Sequence, residues 1–305
     1  MTLSRRHFLA STLLAVGAGV VGAGTAHARP VLARVLDYSA NVPSGAAVRA
    51  AGYQGAMRYV SAPRPGAEWM NAKPIRRPEA EDFAAHNLAV ASVYQFGVGP
   101  TADWKTGAAG ATKHVPLAID FHIRAGGPTG RPIYMAVDAN PTRSEYEQQI
   151  RPFLKEADRL LRAKGYILGV YGNYNVIDWC VADRLGSYYW MHDWGSQGRL
   201  HPQAHIHQLP QNKQVTVDGV QCDVNEVYAS DWGQWTPGLP TVVLPDTTSR
   251  PGTHGAGTTP TAPDAGLPLE QVGDLVGLTP DETAALGRAG QALSKLLGGG
   301  SSFSS

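Results

Sequence analysis

Residues 131–171 read RPIYMAVDANPTRSEYEQQIRPFLKEADRLLRAKGYILGVY. The stretch from Arg131 to Asp138 is apolar, with aromatic and β-branched side chains, and it ends on a carboxylate. That pattern predicts a buried strand. Pro141 to Lys164 predicts a long helix, and Thr142 and Glu145 have the spacing of a capping box at its start. Tyr166 to Tyr171 predicts the next strand. Two strands joined by a crossover of helix length lie parallel.

The same alternation extends in both directions. Strands are expected at 33–38, 55–60, 88–96, 131–138, 166–171, 188–193, 205–209 and 219–224, with helical segments between most of them. Eight strands with crossover-length connections predict an α/β fold, a parallel (β/α)8 TIM-like barrel. The last connections are too short for full helices, so the barrel should be irregular in its last units.

The chain has 305 residues, with 26 Lys and Arg against 25 Asp and Glu. A formal net charge of +1 gives no electrostatic support for nucleic-acid or membrane-surface binding. Ser4-Arg5-Arg6-His7-Phe8-Leu9 matches a twin-arginine export pattern. An Ala/Gly-rich apolar run and the cleavage-type Ala26-His27-Ala28 follow it. Residues 1–28 are therefore expected to be a signal peptide, with the twin-arginine translocase as a partner during export. The mature protein should be secreted or bound to the cell envelope.

The barrel is expected to span 29–236. Residues 237–268 are rich in Pro, Thr and Gly and read as a linker. Residues 269–305 read as a helical tail, with Thr279-Pro280-Asp281-Glu282 at a helix start. A monomer is expected. The two cysteines, Cys180 and Cys222, allow either one disulfide or two buried thiols.

Carboxylates mark the strand ends. Asp37, Asp138, Asp193 and Asp223 each follow a short apolar run. In a parallel barrel the C-terminal strand ends share one face, so these acids should converge there. Cleaving a glycosidic bond usually takes two carboxyl groups that flank it. Tyr38, Tyr59, Tyr94, Tyr171 and Trp190 lie at or near strand ends, and flat aromatic rings with a polar handle suit sugar faces. Filling of the barrel mouth is the competing role for each ring. His205 and His207 share a strand face, but no HExxH accompanies them. No GxSxG, phosphate loop or complete dinucleotide fingerprint is present, and no cofactor or metal is expected.

Seven short motifs occur in order: Leu36-Asp37-Tyr38-Ser39, Val93-Tyr94-Gln95-Phe96, Ala136-Val137-Asp138-Ala139-Asn140, Gly169-Val170-Tyr171, Tyr189-Trp190, Ile206-His207-Gln208 and Cys222-Asp223-Val224-Asn225. They resemble the strand-end motifs of the family 25 glycoside hydrolases, the Chalaropsis-type lysozymes. The closer resemblance is to a glycoside-hydrolase-like family found in twin-arginine-exported actinobacterial cell-envelope proteins. It covers about 33–235. The resemblance implies a β/α barrel with an acidic groove, in which Asp37, Asp138 and Asp223 correspond to the lysozymes' active-site aspartates. Tyr59, Tyr94, Asn140, Tyr171, Trp190, Asp193 and Gln208 are expected to contact substrate, a cell-wall glycan such as peptidoglycan or a related polysaccharide.

The lysozymes carry Asp-x-Glu where this chain has Asp138-Ala139-Asn140, and the glutamate is their proton donor. An amide has no proton to give. Two readings follow. One is a muramidase-type O-glycosidase with weak or altered hydrolysis, in which Asp193 or Glu226 replaces the acid. The other is a glycan-binding barrel that has lost its chemistry.

Overall fold

The computed structural model describes residues 29–238. The expected signal peptide, nearly all of the expected linker and the expected helical tail lie outside the described residues.

Nine strands form one sheet that closes on itself: β1 (Ala33–Asp37), β2 (Gly55–Tyr59), β3 (Ala89–Tyr94), β4 (Pro132–Ala136), β5 (Ile167–Gly172), β6 (Tyr188–His192), β7 (Ile206–Gln208), β8 (Val215–Val217) and β9 (Val220–Val227). Neighbours from β1 to β7 pair in parallel. Strand β9 closes the barrel between β7 and β1, and β8 folds back on β9 as a hairpin outside the ring. The expected α/β barrel, irregular at its end, is the observed architecture.

One strand departs from expectation. β9 runs antiparallel to both of its barrel neighbours. A parallel return needs a crossover of about a dozen residues or more. Between Gln208 and Val220 the chain is too short for one, and the β8 hairpin uses part of it. The chain therefore turns back. Asp223 does not end its strand, as expected, but lies in its first half.

Helices cover the outside: α1 (Gly45–Ala50), α2 (Arg77–Ala85), α3 (Ala108–Arg124), α4 (Arg143–Glu145), α5 (Arg151–Arg162) and α6 (Tyr174–Ala182). The capping box forms as the sequence predicts. Glu145 N donates to Thr142 Oγ1 at 3.2 Å, and Thr142 N donates to Glu145 Oε2 at 2.9 Å. A π-helical turn, Tyr146–Ile150, joins α4 to α5. On α5, Phe153, Leu154, Ala157 and Leu161 form one buried stripe against the sheet. Burying each of the larger side chains contributes roughly 1.5–3 kcal/mol.

Strand alternation divides the apolar residues into two layers. Val35, Met57, Val93, Tyr134, Trp190, Ile206 and Val227 fill the barrel interior. Leu36, Ile133, Met135, Leu168, Val170, Met191 and Val224 face the helices. Gly169 occupies an interior position where a Cβ would lie 2.7 Å from the Tyr134 ring, so the bulky tyrosine requires a neighbour with no side chain. Cys180 and Cys222 are both buried and both free thiols.

Candidate active site

The interior alternation continues to the rim. Beyond the apolar layer, the next inward position on the successive strands or just past their ends is Asp37, Tyr59, Gln95, Asp138, Tyr171, His192, Gln208 and, on the reversed β9, Asp223. Each strand of the ring thus delivers a polar side chain to one mouth. A cleft of about 460 Å³ opens there, lined by Tyr59, Gln95, Asp138, Tyr171, Gln208 and Asp223, with Asp193 and Trp194 from the loop after β6 and residues 209–211 from the loop after β7.

Asp37 lies beneath the cleft at 2 % exposure. Asn225 Nδ2 donates to its Oδ2 at 2.7 Å, and Gln208 Nε2 donates to Oδ1 and Oδ2 at 3.1 and 2.9 Å. Gln208 Oε1 in turn accepts the Tyr171 hydroxyl at 2.7 Å. Burial, followed by the Asp223 charge, pushes the Asp37 pKa up to about 7 against the pull of the two amides. Asp223 accepts from Gln214 Nε2 at 2.7 Å, and its pKa is also raised, first by burial. Asp138 accepts from Gln95 Nε2 at 3.0 Å and from Trp194 Nε1 at 3.2 Å. Burial and the three surrounding aspartates hold the Tyr59 hydroxyl well above the usual phenol range, so it stays neutral.

A buried lysine supports one wall. Lys73 Nζ sits 3.7 Å from the Tyr59 ring centroid and donates to the Gln95 carbonyl at 3.1 Å. Burial, then Arg64 and Arg58, bring its pKa down to about 7. The Gln95 loop is fixed from the other side by Asp103, which accepts from Phe96 N and Gly97 N, each at 2.8 Å.

The structure places the expected site residues differently from one another. Asp138, Asp223, Tyr59, Tyr171, Asp193 and Gln208 line the cleft. Tyr94 does not. It has the opposite alternation, faces the helical layer at 1 % exposure, and hydrogen-bonds His114 Nδ1 at 2.8 Å. Trp190 points inward but one layer too deep; its Nε1 donates to Asn225 Oδ1 at 2.8 Å and so steadies the amide that holds Asp37. Glu226 faces outward on β9 and pairs with Arg34 at 3.0 Å, which removes it as a replacement acid. Asp193 stands 3.3 Å from His207 Nε2.

Asn140 is also placed differently. The strand stops at Ala136, and Ala139 N closes a tight turn on Val137 O at 2.9 Å. Asn140 therefore lines an adjoining cavity, which it shares with Asp138, rather than the cleft itself. Its Oδ1 accepts from Asn173 Nδ2 at 3.0 Å.

Sequence reasoning missed Gln95 and Trp194. Strict alternation from Val93 would have chosen Gln95 over Tyr94. Nothing local marks Trp194, whose ring is half exposed and stacks on His192 at 4.7 Å. Three carboxyls line the cleft beside aromatic rings, and two of them, Asp138 and Asp223, act on each other electrostatically, with burial raising the pKa of Asp223. Acid–base work on a glycosidic bond uses such a pair. Among the described residues no set of three or more His, Cys, Asp or Glu is arranged to hold a metal ion.

The family model described as Rv2525c-like, glycoside hydrolase-like domain matches residues 46–227. Rv2525c of Mycobacterium tuberculosis, whose name assigns it peptidoglycan hydrolysis by inference, is 44% identical over 243 residues, covering 77% of this chain and 100% of the relative. The crystal structure of that Tat-secreted protein with L-tartrate aligns with a TM-score of 0.64 at 45% identity, over 67% of this chain and 100% of that one. A second crystal form, with HEPES, gives a TM-score of 0.64 at 44% identity over the same shares, 67% and 100%.

Proposed function

The chain belongs to the Rv2525c-like, glycoside hydrolase-like family, and on that premise we propose that it is an exported protein that engages cell-wall glycan in the cleft above Asp37, with weak or altered hydrolysis. The observation that carries this is the ring of inward polar side chains, which sets Asp138 and Asp223 beside Tyr59, Tyr171 and Trp194. Acids flanked by rings suit a sugar polymer. Export to the cell envelope through the twin-arginine route is supported by the Arg5-Arg6 motif and by the Tat-secreted relative.

The weak hydrolysis follows from position 140. An amide stands there, and it opens on the adjoining cavity. Burial raises the Asp37 pKa to about 7, but the carboxyl is enclosed by Gln208 and Asn225, so it does not reach a leaving oxygen. Its role is electrostatic support. Asp223 remains as the one cleft-lining carboxyl whose raised pKa favours carrying a proton, with Asp138 as base or nucleophile. That assignment is the enzymatic reading. The second reading, a glycan-binding protein without turnover, is favoured by the amide at Asn140.

The deciding experiment exposes the exported protein to purified cell-wall glycans and scores both binding and the reducing ends released. Binding with slow release that disappears in Asp223→Asn supports the enzyme. Binding with no release supports the binder. Neither binding nor release would remove the glycan reading altogether.

A further inference from the structure

Arg29 is the first residue of the expected mature chain, and the barrel holds it. Its guanidinium donates to the carbonyls of His201 at 3.4 Å, Pro202 at 2.9 Å, Ala204 at 2.8 Å and Tyr228 at 3.3 Å. It also lies 5.1 Å from the Tyr228 ring centroid. A rigid fork of donors suits such a group of carbonyls. Leu32 N donates to the Val227 carbonyl at 2.8 Å, so the chain is fastened a second time close by. The cleft uses none of these contacts.

All of them lie at one end of the barrel. Leu32 precedes β1, Ala204 precedes β7, and Tyr228 follows the reversed β9. That end is opposite the mouth, where the parallel strands finish. The expected leader joins the barrel at the same place. Its apolar run ends near Thr25, and Ala26-His27-Ala28 spans at most about 11 Å when fully extended.

A leader peptidase adds water across the Ala28–Arg29 bond, leaving a carboxylate on Ala28 and an ammonium on Arg29. It must grip an extended stretch on both sides of that bond. The twin-arginine route carries folded proteins, so Arg29 is already fastened when the peptidase meets it. Cleavage within a fastened segment follows the fraction of molecules in which that segment has opened.

We infer that Arg29 is a clasp that gates removal of the leader. While it is closed, the Ala28–Arg29 bond is withheld and the exported chain stays tethered to the membrane. The tether leaves from the end opposite the mouth, so the cleft faces away from the membrane. The clasp acts whatever the cleft binds.

The test uses the full-length, leader-bearing chain in detergent and a purified bacterial leader peptidase. Each chain is digested folded, and again in urea that unfolds the barrel and leaves the peptidase active. Mass spectrometry identifies the new N-terminus. Folded wild type is expected to be cut at least about tenfold more slowly than unfolded wild type, the effect of one or two net hydrogen bonds. Arg29→Ser should bring the folded rate to within about twofold of the unfolded one. Arg29→Lys keeps the charge without the fork and should fall between, and it remains informative if serine loosens the barrel. The unfolded rates of the three chains remove any preference of the peptidase for the residue itself. Equal folded and unfolded rates in the wild type would overturn the clasp. So would folded variants that are both cut as slowly as the wild type, or an unfolded wild type cut anywhere but before Arg29.

Discussion

Asp37 and Asp223 stand directly opposite each other in register, on β1 and β9. Such cross-strand partners hold their Cβ atoms roughly 4.5–5.5 Å apart, and their side chains share one face. Two carboxyls at that spacing in a buried mouth do not ionise independently. The pair exists because β9 runs backwards.

The pair sets a pH dependence. The folded pKa of Asp37 lies at about 7, above its ordinary value of 3.8. The folded state therefore binds this proton more tightly than the unfolded chain, and stability is lost as pH rises through 7. His122 and His192, lowered to about 4, act in the opposite sense as pH falls below their ordinary 6.5. The difference between wild type and Asp37→Asn isolates the carboxyl. Wild type should lose several degrees of Tm relative to the variant between pH 6 and pH 8. Parallel melting curves across that range would show that Asp37 titrates elsewhere.

Asn225 is fully buried, donates to Asp37 and accepts from Trp190. Asn225→Ala leaves an indole N–H and a carboxyl without that partner. The expected cost is about 2–6 kcal/mol, from two groups of roughly 1–3 kcal/mol each. Urea denaturation measures it. A loss below about 1 kcal/mol would mean that water replaces the amide.

Gly195 has φ +77°, and a Cβ there would fall 1.6 Å from Asn140 Oδ1. Gly195→Ala should cost about 1–2 kcal/mol from backbone strain alone. It should also push Trp194 off Asp138. Glycan affinity should fall and Trp fluorescence should shift. Unchanged affinity would show that the Trp194 contact with Asp138 does not matter for binding.

Asn140→Glu would place a carboxylic acid in the cavity adjoining the cleft, beside Asp138. Glycan hydrolysis should rise at least about tenfold, part of the roughly 10²–10⁴ that a general acid supplies. Asp138→Asn should reduce release in either background. Brisk wild-type turnover, unchanged by Asn140→Glu and by substitutions at Asp193 and Asp223, would refute this distribution of roles.

Arg5 and Arg6 are expected to be required for export. Replacing both with Lys should trap the protein in the cytoplasm, as read by cell fractionation. Full extracytoplasmic yield from the double variant would contradict the twin-arginine assignment.

Some of this architecture is written in local sequence. Thr142 and Glu145 announce the start of their helix because a capping box involves only residues three apart. Ile133 to Val137 announces a strand because its neighbours on both faces are apolar. Asp37 and Asp138 announce an acidic mouth because parallel strands put their C-terminal ends together. Tyr94 was misread because the strand end was read as a place rather than as a face. One residue's difference in alternation sends Gln95 into the cleft and Tyr94 toward His114.

The sequence by itself determined the barrel, its signal-like N-terminus, the acids at its mouth and the amide at position 140. These follow from periodicity, capping and residue chemistry, which act over a few neighbours. The tertiary structure alone decided that β9 reverses, that Asp37 is sealed beneath Gln208 and Asn225, that Trp194 returns to Asp138, and that Asn140 opens on a second cavity. Each of these depends on residues far apart in the chain, or on how a loop folds back. Ring closure sets those distances, and no local pattern encodes them.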